Sequence, residues 1–141
     1  PNVTALYPYG ETVAEFVSKA DLVIGAVLVT GARAPHVISR EMIAAMNEGA
    51  VVVDISVDQG GCVETTRPTT WEDPTYIEHG VVHFTVTNMP GAVPRTSSQA
   101  LSAAIAPYAM RLAAGNWRDV AALVKGINVE AGKVVHPALF K

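Results

Sequence analysis

Apolar positions along the chain alternate between strand-like runs and helix-like stripes. Residues 3–7 read as a short strand, which Pro8-Tyr9-Gly10 closes. Thr12 and Glu15 have the spacing of a capping box, with Thr12 as N-cap, and Val13, Phe16, Val17 and Ala20 follow at helical intervals. A continuous apolar run, residues 22–29, is rich in β-branched side chains, as expected of a strand covered on both faces in a parallel sheet. Ser39 is placed to cap a second helix carrying Met42, Ile43 and Met46, which stops near Gly49. Residues 50–55 form a further buried strand. Residues 81–86 form another, with Val82, Phe84 and Val86 on one face.

After residue 95 the rhythm changes. Ser97 or Ser98 starts a long helix with Leu101, Ile105, Tyr108 and Leu112 on one stripe, and Gly115 ends it. A second helix is expected over residues 117–125, and a small hairpin or loop over residues 129–134. The segment Asn88-Met89-Pro90-Gly91-Ala92-Val93-Pro94 holds two prolines and a glycine, and reads as a rigid connector between domains.

Strand, helix, strand, helix, strand predicts an α/β fold with a doubly wound parallel sheet in residues 1–94, followed by a helical segment in residues 95–141. A complete dinucleotide-binding domain opens with a strand and a G-x-G-x-x-G turn. None of the 11 glycines here are spaced two apart. The sheet is therefore expected to be the second half of such a domain.

Composition narrows the partners. Half of the 141 residues are apolar and 16% are charged, enough for a core and too apolar for disorder. Net charge is -3 and no basic run occurs, which argues against nucleic acid. The longest apolar run is far shorter than the about 20 residues a membrane helix needs, so no membrane partner is expected. The start, Pro1-Asn2-Val3-Thr4, has neither the charged nor the apolar part of a leader. It also lacks an initiating Met, as a piece of a longer chain would. Cys62 is the single cysteine, which excludes an intrachain disulfide and fits a cytoplasmic location.

Ligands of an open parallel sheet bind beyond the carboxyl ends of its strands. Residues 26–29, 55–62 and 86–90 lie there. Asp58 follows a buried strand and precedes two glycines. Such a carboxylate could orient a ribose hydroxyl, take part in proton transfer, or simply accept backbone N–H bonds in a turn. Asn88 carries an amide suited to a carboxamide or carboxylate ligand, and equally suited to a turn before Pro90. Met89 reads first as a packing residue, and Asp54 as structural, paired with backbone. Cys62 has no basic neighbour in sequence to activate it and reads as a small buried residue. His36, His79, His83 and His136 lack metal-ligand spacing, so no metal site is expected, and mid-strand His83 reads as a hydrogen-bonded core histidine.

Three stretches resemble alanine dehydrogenases. They are residues 20–35, with Ala20-Asp21-Leu22-Val23-Ile24-Gly25 and Gly31-Ala32-Arg33-Ala34-Pro35; residues 53–70, with Asp58-Gln59-Gly60-Gly61-Cys62 and Arg67-Pro68-Thr69-Thr70; and residues 88–97, from Asn88-Met89-Pro90-Gly91 to Ser97. Together they are specific, and the likeness runs from about residue 11 to the end of the chain. Thr30 stands where that family commonly has proline, and Ser56 where alanine is common.

The resemblance implies a Rossmann-type NAD domain and reversible oxidative deamination of L-alanine to pyruvate and ammonium. It implies that Asp58 is the essential carboxylate. Asn88 and Met89 line the same pocket, Val27 and Leu28 lie against the adenosine end of NAD, and Ile55 and Val86 hold the nicotinamide side through their backbone. It implies a hexamer, in which residues 95–141 rejoin a substrate domain. That domain supplies a lysine, a histidine and an arginine with no counterpart here, so the chain alone is expected to be inactive. A related reading is the NAD-binding subunit of a proton-translocating transhydrogenase, which carries an Asn-Gly-Gly-Asn-type loop where this chain has Asp58-Gln59-Gly60-Gly61. A third is a non-catalytic nucleotide-binding or interaction module.

Overall fold

A computed structural model describes residues 2–140. The chain divides into two compact units, the first ending at Met89 and the second beginning at Pro90. In the first unit, helix α1 (Gly10–Lys19) leads into strand β1 (Leu22–Gly25), helix α2 (Arg40–Ala44), strand β2 (Val51–Asp54) and the hairpin of β3 (Thr75–Glu78) and β4 (Val81–Phe84). The strand order is β1-β2-β4-β3. β1, β2 and β4 run parallel, and β3 is antiparallel to β4. The expected parallel sheet is present, with an antiparallel edge strand that the hydrophobic pattern did not predict.

Register explains how the faces are used. Val23, Val52, His83 and Tyr76 line up across the four strands. Their face packs on α1 and α2, through Val17 and Ile43, around a core that also takes Met46, just after α2, with Val63 and Val81. The other face carries Leu22, Ile24 and Ile77, each more than half exposed. The apolar run at residues 22–29 is therefore not a strand buried on both sides. Only its first four residues are strand, they form a sheet edge, and one of their faces is open. In β4 the deeply buried positions are Val81 and His83, while Val82 and Phe84, which share the other face, are half-buried.

Other local expectations are corrected. Residues 3–7 form no strand, since no neighbouring strand satisfies their backbone, and Val3, Leu6 and Tyr7 are exposed. Helix α1 starts before Thr12, at Gly10, with Tyr9 as N-cap and no side-chain cap bond. Ser39 does cap α2, accepting from the Met42 N–H, but α2 spans only 5 residues.

In the second unit, α3 (Pro94–Ala113) starts earlier than Ser97, with proline in its first turn, where the missing N–H costs nothing. Ser97 instead donates its hydroxyl to the Pro90 carbonyl at 2.8 Å. Gly115, with φ of 75°, follows the end of α3 as expected. The helix expected over residues 117–125 breaks at Val120 into a 3₁₀ turn, Trp117–Asp119, and α4 (Ala121–Lys125). Strands β5 (Val129–Glu130) and β6 (Lys133–Val134) then form the small hairpin.

Candidate nicotinamide-side site

The site grows from the carboxyl end of β2. Asp54, the last residue of that strand, is fully buried. It caps the 3₁₀ turn Ile55–Gln59 by accepting from the Ser56 N–H at 2.9 Å. Gly60 and Gly61 follow with φ of 96° and 78°, a left-handed path that turns the chain back on itself. The return places the Cys62 and Val63 N–H groups on the second oxygen of Asp54, at 2.9 and 3.2 Å, and Thr66 Oγ1 donates to that same oxygen at 2.8 Å. Asp54 is thus structural and bonded to backbone, as the sequence suggested. Each of its two oxygens is met by a hydrogen-bond donor, as a buried polar group requires.

Asp58 sits on the exposed outer part of this loop. Both its carboxylate oxygens accept from the Asn88 backbone N–H, at 3.1 and 3.3 Å. Asn88 itself adopts φ of 50°, which Asn tolerates better than most residues. The turn-forming role weighed for Asn88 and the backbone-accepting role weighed for Asp58 are therefore both present. They also bring the loop after β2 and the segment after β4 together.

A second tie joins the loop to the segment that follows β1. Ser56 Oγ accepts from the Val27 N–H at 2.7 Å. This hydroxyl had no assigned role in the sequence; its replacement of a common alanine was the only signal. Arg33 was also missed. Its guanidinium donates to the Gly60 carbonyl at 3.2 Å, and its side chain lies where a Cβ on Gly60 would stand.

The remaining candidates fall around these contacts. Leu28 lines an open cleft of about 570 Å³ with residues 29–33 and Gln59. Leu28 and Ile55 are exposed, Val27 and Met89 half-exposed, and Val86 buried. Val86 forms a bridge with Thr69. Cys62 is buried below the loop, and burial, as the largest influence, pushes its thiol pKa up. It is a packing residue and not an activated nucleophile. The described side chains thus combine exposed apolar surface at Leu28 and Ile55 with a carboxylate at Asp58.

Comparison with known proteins follows the same lines. The family model of the alanine dehydrogenase/PNT C-terminal domain matches residues 2–137. An alanine dehydrogenase of Halomonas elongata is 46% identical over 98% of this chain, and one of Geobacillus stearothermophilus is 50% identical over 98%. The chain spans 38% of the length of each. A solved L-alanine dehydrogenase superposes with a TM-score of 0.78 at 48% identity, covering 92% of this chain and 37% of that one. A transhydrogenase from Sinorhizobium meliloti gives 0.65 at 32% identity, covering 92% and 36%. The half-sheet, the loop closed on Asp54 and these likenesses agree: the chain belongs to the alanine dehydrogenase/PNT C-terminal domain family.

Proposed function

We propose that this chain is the nicotinamide-side part of an NAD-dependent alanine dehydrogenase. The complete protein would convert L-alanine to pyruvate and ammonium, reversibly. The observation that carries this reading is the Asp58 carboxylate, exposed on a loop at the carboxyl end of the sheet and fixed by the Asn88 N–H. NAD, when bound, accepts the hydride from the substrate α-carbon. In this reading Asp58 takes up and returns the proton exchanged with the substrate amine and water. Asn88 and Met89 flank it. Ile55 and Val86 hold the nicotinamide side through their main chain, and Val27 and Leu28 meet the adenosine side. A cytoplasmic homo-oligomer, hexameric by family resemblance, belongs to the same reading, as does a role for residues 95–141 in the substrate domain.

The better superposition on an L-alanine dehydrogenase than on a transhydrogenase supports the amino-acid reaction over hydride exchange between nucleotides. The test is Asp58→Asn in the complete protein. General acid–base roles are worth about 100- to 10,000-fold, so alanine-dependent NADH formation should fall by at least about 100-fold with NADH still bound. An undiminished rate would remove Asp58 from the chemistry.

A further inference from the structure

The loop that carries Asp58 begins and ends on one side chain. Its first turn is fastened at Ser56 N–H to Oδ1 of Asp54, and its return is fastened at Cys62 and Val63 N–H to Oδ2. Between those points Asp58 itself is held through its carboxylate, which accepts from the Asn88 N–H. A Cβ on Gly25 would stand 2.5 Å from Cys62 Sγ and one on Gly61 2.4 Å from Thr66 Oγ1, so a side chain at either glycine would displace a group bonded to Asp54.

We infer that Asp54 is a positioning residue for Asp58: a buried carboxylate that sets the path of the loop and so the place at which Asp58 meets the reacting atoms. The inference rests on the alanine dehydrogenase reading. A strand-end Asp that merely filled a hydrogen-bond need could be served by one or two donors. Here the donors come from both ends of the loop, and three of them are main-chain groups, so the backbone path depends on the two oxygens together. Replacing one oxygen by an amide sets a donor against donors, either at Ser56 or at Cys62 and Val63. The loop must then reopen at one end.

The test uses the complete protein with alanine and NAD. Asp54→Asn should lower kcat per folded site by about 10- to 100-fold, the scale of a 1 Å misplacement of a reacting group, while KM values change by less than about threefold. Combined with Asp58→Asn it should add little, leaving kcat within about threefold of Asp58→Asn alone, because independent losses multiply and shared ones do not. Where Asp54→Asn does not fold, Thr66→Val removes one donor to Oδ2 and decides in its place, with an expected fall in kcat of about threefold or more that vanishes in the Asp58→Asn background. An unchanged kcat per folded site, or losses that multiply with Asp58→Asn, would overturn the positioning role while leaving Asp58 in the chemistry. A full rate in Asp58→Asn alone would overturn the functional reading and the positioning role with it.

Discussion

His83 shows how much a single side chain settles in this fold. It is fully buried, stacked on Tyr76 with ring centroids 4.9 Å apart, and bonded through both ring nitrogens. A carbonyl only accepts, so Nδ1 donates to the Val81 carbonyl at 3.0 Å and Nε2 accepts from Thr65 Oγ1 at 2.8 Å. That arrangement suits the neutral ring, and burial, the largest influence, lowers the His83 pKa from its ordinary value. In the range between the lowered folded value and the unfolded value of about 6.5, the unfolded chain binds more protons. Stability is therefore fully present above about 6.5 and is lost as pH falls below it. Urea unfolding of the chain, read from Trp71 in a Trp117→Phe background, should show this decline. His83→Gln, which keeps a donor and an acceptor without titrating, should flatten it.

The sequence marked His83 as a core histidine because a mid-strand His must be satisfied. It marked Asp58 because of its place after a buried strand. It could not reveal Asp54 as the centre of the loop. The donors to Asp54 lie up to 12 residues downstream, and only the 3₁₀ turn and the two left-handed glycines bring them back.

Among the elements, β3 was the one the pattern concealed. Thr75-Tyr76-Ile77-Glu78 is short and polar at two of its positions, and its turn is His79-Gly80 where Asn-Gly would have been a plain signal. Both turn residues have positive φ, 54° and 77°, the signature of a two-residue type I′ hairpin. The β5–β6 hairpin repeats the device with Ala131 and Gly132 at 49° and 78°. His79→Asn should stabilise the first unit by up to about 1 kcal/mol, and Gly80→Ala should destabilise it by about 1–2 kcal/mol. The penalty at Gly80 comes mainly from its backbone, since the nearest atom a Cβ there would meet is in the flexible Glu48 side chain, at 3.3 Å, and the Glu48 Cα lies at an ordinary contact distance of 3.7 Å. Equilibrium urea titrations of the two variants would check the opposite signs. The long apolar run at residues 22–29 misled for a related reason: apolar composition predicts burial in the finished protein, while this chain supplies cover for one face of β1 only.

At the scale of the whole molecule, the chain matches a little over a third of the length of its alanine dehydrogenase relatives. Among the described residues no helix is long and apolar enough to cross a membrane. The purified 141-residue chain should give no alanine-dependent NADH formation, measured at 340 nm with enzyme in large excess over the amount a complete dehydrogenase needs. Turnover by this chain alone would mean that its own residues suffice for the reaction.

The strand order also sets a sequence of events during folding. Thr75–Glu78 and Val81–Phe84 are joined by two residues, so their ladder closes a very small loop. By contrast, Leu22 must find Val51, and Val51 must find Val82, across long stretches of chain. Loop-closure entropy is recovered earliest where the loop is shortest. On this ground the antiparallel hairpin is expected to form before either parallel pairing, and the two parallel pairings, which close loops of similar length, are not ordered by the same rule. The strand absent from the expected pattern, β3, thus closes early on β4, and the other edge of β4 carries β2 and with it the Asp58 loop.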